Sequence, residues 1–116
     1  MTFEQIAKVG YEVARTASIV LGDKPAKIAW DEIPEQLKNQ YVSWVRLIYG
    51  NPKATAGYQH TLYIEQLKSR GWVYGKENDD KKKTTPLLVE YSELPVRVRI
   101  KDELFFTAVK ELLTIG

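Results

Sequence analysis

Apolar residues in this chain recur at steps of three and four, in runs interrupted by glycine and proline, and that pattern restricts it to a set of short packed helices. Ile6, Val9, Val13, Ala17 and Val20 mark one stripe and predict a first helix from about Phe3 to Leu21. Thr2 and Gln5 predict a capping box at its start, because each side chain can reach the other's backbone N–H. Gly22 predicts its stop. Gly10 falls mid-helix, where glycine costs about 1 kcal/mol against alanine; it either allows close packing or carries no role. After a loop over residues 23–33 containing Pro25, a second helix is expected to begin at Pro34, with Leu37, Tyr41, Trp44, Val45 and Ile48 as its buried face and Gly50-Asn51-Pro52 as its end. A third, from about Thr55 to Arg70, places His60, Tyr63, Ile64 and Leu67 on one face. Lys68 and Arg70 suit its negative end, and Gly71 the turn beyond it. A fourth is expected over about Lys101 to Ile115, with Asp102 and Glu103 at its positive start and Leu104, Phe105, Ala108, Val109 and Leu112 on its apolar face.

Between the third and fourth helices the helical period fails. Trp72-Val73-Tyr74-Gly75 and Leu87-Leu88-Val89-Glu90-Tyr91 are short and β-prone, and Asn78, Asp79, Asp80 and three lysines separate them. A small β-ribbon with a polar tip is the expected structure. The fold class is therefore mainly α: four helices with a short β-ribbon between helices three and four. Arg97, Arg99 and Lys101 alternate with Val96, Val98 and Ile100, which fits an exposed turn or, alternatively, a short strand with a basic edge. Trp30-Asp31-Glu32-Ile33-Pro34 is echoed by Tyr91-Ser92-Glu93-Leu94-Pro95, each leading into an amphipathic helix. The chain is thus expected to be one domain over 1–116, with 1–52 as an N-terminal helical half, a degenerate repeat on one reading, and 55–116 as the core.

Composition excludes several classes. With 116 residues there is little room for a second core. The net charge is +2, and residues 1–57 and 58–116 are each nearly neutral, so no global field steers the chain onto nucleic acid. Cysteine is absent, which removes disulfides and thiolate metal sites and suits a reducing, cytoplasmic setting. The first residues, Met-Thr-Phe-Glu-Gln, do not read as a signal peptide, and no apolar run approaches the roughly 20 residues of a membrane span.

His60 is the only histidine, so the usual zinc sets are out of reach. It is read either as a hydrogen-bonded helix–ribbon tie or as a ligand contact, with a hydrolytic role a distant third. Trp72, Tyr74, Tyr63 and Tyr91 are rings with polar tips, suited to stacking on a flat ligand such as a nucleobase or to plain core packing. In the Asp79-Asp80-Lys81-Lys82-Lys83 run, Lys82 or Lys83 could reach an anionic group; a solvated loop tip is the other reading. There is no glycine-rich phosphate loop and no Gly-x-Ser-x-Gly elbow.

Gly71-Trp72-Val73-Tyr74-Gly75, followed by Asp80 and Lys82 or Lys83, then Pro86-Leu87-Leu88-Val89-x-Tyr91 and Leu94-Pro95, resembles the core of the RyR domain, the ryanodine-receptor repeat. His60 stands where that family has a helical histidine. The whole chain is similar to the short stand-alone RyR proteins of phages and bacteria. Ile6-Ala7, Leu21-Gly22-Asp23, Trp30-Asp31-Glu32 and Lys101-Asp102-x-Leu104-Phe105 carry that likeness. The chain departs from the family in having Tyr63 for a usual tryptophan, Thr85 for a histidine and Leu87 for a frequent cysteine. The resemblance implies a non-catalytic small-molecule binding module without cofactor, for a nucleotide-derived ligand; the residues expected to hold it, from their rings and charges, are His60, Tyr63, Trp72, Tyr74, Lys82, Lys83 and Tyr91. The alternative is a protein-interaction or homodimerisation module with no small ligand. Ligand binding further requires His60, Tyr63 and Trp72 to line one open cavity.

Overall fold

The computed structural model describes residues 1–115. Four α-helices are present among them: α1 (Phe3–Val20), α2 (Glu35–Gly50), α3 (Ala56–Ser69) and α4 (Val96–Ile115). Two two-residue strands, β1 (Val73–Tyr74) and β2 (Thr84–Thr85), lie between α3 and α4. The fold is mainly α, as the apolar period predicts. Among the described residues, no helix is long and apolar enough to cross a membrane.

Helix α1 begins as its sequence dictates. Gln5 N–H donates to Thr2 Oγ1 (3.1 Å) and Thr2 N–H to Gln5 Oε1 (2.8 Å), closing the capping box. Gly22 takes the left-handed φ of +74° that ends the helix. The buried face, however, matches the expected stripe only in part: Ile6 is buried, and Val13 and Ala17 are half-buried. Ile6, Ala7, Gly10, Tyr11, Ala14 and Ser18 face inward, whereas Val9 is exposed and Val20 is 80% exposed. The reason is α4, the helix against which α1 packs most extensively. A Cβ placed on Gly10 would meet Phe105 Cδ2 at 2.8 Å and Val109 Cγ2 at 3.0 Å. The lack of a side chain at Gly10 lets α4 approach, while Val9 and Val20 are turned outward.

In α2, Val45 and Ile48 are buried and Tyr41 and Trp44 half-buried as expected, but Leu37 is exposed. Pro34 is the N-cap rather than the first helical residue. Its carbonyl accepts from Leu37 N–H and Lys38 N–H (3.0 and 3.1 Å). The core cluster joins Ile6, Tyr11, Trp30, Val45, Phe105 and Val109.

Helix α4 begins five residues earlier than expected, so Arg97 and Arg99 lie in its first turns rather than in a turn or strand. Cations at a helix start oppose the dipole, and fixed acceptors offset this. Arg97 donates to Leu21 O, Arg99 Nε donates to Leu94 O (3.1 Å), and Lys101 Nζ stands 2.5 Å from Asp23 Oδ2. Asp102 is consequently a second-turn residue, not a start residue.

The segment 72–91 pairs differently from the expected ribbon. β1 pairs with Thr84–Thr85, in parallel, not with 87–91. Asp79 and Thr84 exchange backbone hydrogen bonds (3.0 and 3.1 Å), and Asp79 Oδ1 accepts from Lys81 N–H and Lys82 N–H. This closes the polar tip into a loop that returns the chain in its original direction. Pro86, which has no N–H, then stops the ladder. Residues Leu87 to Glu90 run back without strand structure.

The two echoing segments take the same path. Trp30–Glu32 and Tyr91–Glu93 are both single 3₁₀ turns, each followed by an extended, buried Ile33 or Leu94 and then Pro34 or Pro95 before a long helix. Pro95 O accepts from Val98 N–H and Arg99 N–H as Pro34 O does from its own pair.

Candidate functional site

A cavity of about 560 Å³ lies where the helices that follow these two turns converge, bounded also by α3 and the loop after α1. Its volume suits a small molecule. Helix α2 supplies Leu37, Tyr41 and Trp44, with Gln36 and Gln40 beside them; α3 supplies Gln59, His60 and Tyr63; α4 supplies Val98 and Asp102; Lys27 enters from the loop. Leu37, expected in the core, instead forms part of this wall.

The aromatic wall is held rigidly. Tyr41 packs edge-on against Trp44 (centroids 5.0 Å apart) and Tyr11 (5.1 Å) and leans on Phe105 (5.5 Å). Burial, with a smaller contribution from Asp102, pushes the Tyr41 phenol up to about 12, so it stays a hydrogen-bond donor at neutral pH. Burial raises the Tyr63 phenol in the same direction.

Two charges face this wall. Lys27 is positioned by its backbone N–H, which donates to Ser18 Oγ (3.1 Å), while that hydroxyl donates to Asp23. Its Nζ lies 3.5 Å from Tyr41 Oη and 5.6 Å from the Tyr11 ring centre. Burial lowers the Lys27 pKa, partly opposed by Asp102 and Asp23. Burial raises the Asp102 pKa, partly opposed by His60 and Lys27. Each charge is thus desolvated and feels the other, yet no ion pair joins Lys27 to Asp102 among the described residues.

His60 is buried, 5% exposed, and its Nε2 lies 2.9 Å from Val89 O. A carbonyl only accepts, so Nε2 carries the proton and the ring ties α3 to the returning segment. Its ring is 6.5 Å from Tyr63 and 5.8 Å from Tyr91.

Of the residues singled out from sequence, the structure brings His60 and Tyr63 to this cavity. Trp72 is not with them. Trp72 and Tyr74 border a separate open hollow with Lys68, Gly71 and Leu88. Tyr91 stands behind His60, its hydroxyl donating to Glu103 Oε1 (2.8 Å), with Arg99 O at 3.3 Å. Lys82 is exposed on the closed loop, and Lys83 Nζ donates to Arg70 O (2.9 Å) at the end of α3. The single cavity containing an imidazole, a phenol and the Trp72 indole does not form.

Lys27, Tyr41, Trp44, Gln59 and Asp102 were missed as site residues. Asp102 had a legible signal. Val98, Asp102, Phe105 and Val109 follow one helical period, placing a carboxylate in an otherwise apolar stripe. Lys27 had a weaker one, standing between Ala26 and Ile28 in its loop. Among the described residues, no group of three His, Asp or Glu side chains is placed to hold a metal ion. No family model matches the chain.

Proposed function

We propose that this protein is a non-catalytic receptor for a small planar molecule, a nucleotide-derived ligand, seated between α2, α3 and α4. One observation carries the reading: the rings of Tyr41, Trp44 and Tyr63 line a cavity that also holds a desolvated ammonium and a desolvated carboxylate not paired with each other. Leaving such groups unmatched is costly, and a ligand that matches both recovers that cost. The resemblance to the RyR domain supports the same class of ligand, with Trp44 rather than Trp72 as the stacking indole. Stacking contributes about 1–3 kcal/mol per base, so a micromolar complex, about 8 kcal/mol, needs the two charged contacts as well. His60 acts as a structural tie beneath the wall, since its Nε2–H is committed to Val89 O.

The test is a thermal-shift and calorimetric screen of nucleosides, mononucleotides, ADP-ribose and cyclic dinucleotides. A ligand that raises the melting temperature should lose its effect in Trp44→Ala and in Tyr63→Ala, with helicity preserved by circular dichroism, and keep it in Trp72→Ala. Loss in Trp72→Ala alone, or silence across the panel, overturns the reading.

A second reading, homodimerisation without a small ligand, has one observation in its favour. An apolar hollow of about 430 Å³ lies where Phe3 and Ile6 of α1 meet Tyr49 of α2 and Leu112 and Leu113 of α4. Light scattering that reports a monomer at all accessible concentrations removes it.

A further inference from the structure

Resting on that reading of the cavity, we propose that the base it selects is guanine: Asp102 accepts from the N1–H and the 2-amino group, and Lys27 donates to O6. The argument starts from the donor and acceptor pattern the walls present. Asp102 offers only acceptors and Lys27 only donors. They reach the same cavity from α4 and from the loop after α1, and neither forms an ion pair with the other. A ligand edge that sets an acceptor beside a pair of donors in one plane can satisfy both. Guanine does so with O6, N1–H and the 2-amino group.

The other bases fail in identifiable places. Adenine puts its 6-amino donor where the ammonium needs an acceptor, and the unprotonated N1 where the carboxylate needs a donor. Uracil matches O4 to Lys27 and N3–H to Asp102, but its O2 then faces the second carboxylate oxygen. Cytosine gives the carboxylate one donor group instead of two and covers less of the aromatic wall. The base also lies among phenols that remain protonated, so Tyr41 and Tyr63 add no competing negative charge. The Lys27 backbone is fixed by its bond to Ser18, and its ammonium lies 3.5 Å from the Tyr41 hydroxyl, on the aromatic wall a base would stack against. A bidentate contact of this kind discriminates between bases by a factor on the order of ten to a hundred.

The experiment is isothermal titration of the full chain with GMP, IMP, AMP, CMP and UMP, repeated on Asp102→Asn with XMP added to the series. The expected order is GMP tightest, with AMP weaker by about tenfold to a hundredfold. IMP, which lacks the 2-amino group, should fall between them. Asp102→Asn should weaken GMP and prefer XMP, because xanthine carries a carbonyl where guanine carries the amino group and the new amide N–H can donate to it. A gain of that kind cannot come from a misfolded variant. If AMP binds as tightly as GMP, and Trp44→Ala abolishes both, the guanine assignment is overturned while the cavity reading stands. If GMP is preferred but Asp102→Asn leaves the preference unchanged, the assignment of Asp102 is overturned. If no nucleotide binds, both readings fall together.

Discussion

The two turns that lead into α2 and α4 share a backbone path and differ in what they do with their first ring. Trp30 is 3% exposed, packed edge-on against Tyr11 at 5.6 Å and Tyr41 at 6.2 Å. Tyr91, at the equivalent place, is half-buried, and its hydroxyl is bonded to Glu103. The extended step follows from local chemistry, since the residue before a proline is pushed out of the helical region, and in both places a single 3₁₀ turn precedes it. The fate of the ring is decided by the neighbours. The first turn packs on α1, whereas the second packs on α3. The same turn thus serves once as core and once as scaffold for His60.

Truncating the two rings measures this difference directly. Trp30→Ala should lower stability by roughly 3–5 kcal/mol, the usual result of emptying a buried indole site. Tyr91→Ala should cost roughly 1–2 kcal/mol, as a half-exposed ring with one side-chain hydrogen bond. Urea unfolding followed by far-ultraviolet circular dichroism gives both values, and equal losses would erase the distinction between core turn and scaffold turn.

A second pair sharpens the contrast between the tight side of the molecule and its rim. Gly10→Ala adds a methyl group against Phe105 and Val109, whereas Gly50→Ala, at the end of α2, meets nothing within 4 Å. Helix propensity favours alanine by about 1 kcal/mol at an interior helical position. Overpacking at Gly10 costs about 1–3 kcal/mol and outweighs it. Gly10→Ala should therefore destabilise by up to roughly 2 kcal/mol, and Gly50→Ala should be neutral or mildly stabilising. A stabilised Gly10→Ala would mean that α1 and α4 are not in close contact there.

What was legible from sequence follows the same division. Helix ends governed by adjacent residues, such as the Thr2–Gln5 box and the Gly22 and Gly71 stops, are found within a residue or two. The face of α1 is found only in part, because the period of Val9, Val13 and Val20 carries no information about which helix packs against it. Gly10 and its small neighbours were the better guide, but only α4 reveals why. The start of α4 was hidden by an alternation of valine and arginine that imitates a strand. Distant acceptors at Leu21 and Asp23 hold Arg97 and Lys101 there, and the nearby Leu94 carbonyl holds Arg99. The cavity was half legible: the period of α3 put His60 and Tyr63 on one face, but no local signal brings Lys27 to Asp102. Trp72 stands within the Gly71–Gly75 motif and so draws the sequence reading to itself. The one that lines the cavity, Trp44, comes from the other half.

The two aspartates that meet the α1–α4 end behave oppositely with pH. Asp23 is held below the ordinary carboxylate range, chiefly by its hydrogen bond to Lys101 and then by Ser18. Its contribution is present above the unfolded value near 3.8 and lost as pH falls through the lowered folded value. Asp102 is raised by burial, so its ionised form opposes folding above the raised value, and that penalty fades as pH falls through it. Asp102→Asn should raise the melting temperature of the free protein at neutral pH by roughly 2–5 °C, with the gain closing as pH drops toward the ordinary carboxylate range. Asp23→Asn should lower it at neutral pH and converge with the parent protein in acid. A carboxylate kept at the expense of stability is what the proposed binding role of Asp102 requires, and a melting temperature unchanged by Asp102→Asn across this range would argue that Asp102 is solvated rather than buried.

The prolines give the smallest effect and the cleanest comparison, because they probe the turns without touching the rings. Pro34 has φ −61° as the N-cap of α2, and its carbonyl accepts from the residues three and four ahead, as Pro95 O does in α4. Neither ring removes a hydrogen bond the fold needs, so each proline acts mainly by restricting the unfolded chain. Pro34→Ala and Pro95→Ala should each cost roughly 0.4–1 kcal/mol, by amounts that agree within measurement error. The double variant should cost their sum, since the prolines belong to separate turns. If the two differ widely, the neighbours that separate Trp30 from Tyr91 also reach the backbone, and the shared path is imposed twice from outside rather than written twice in the chain.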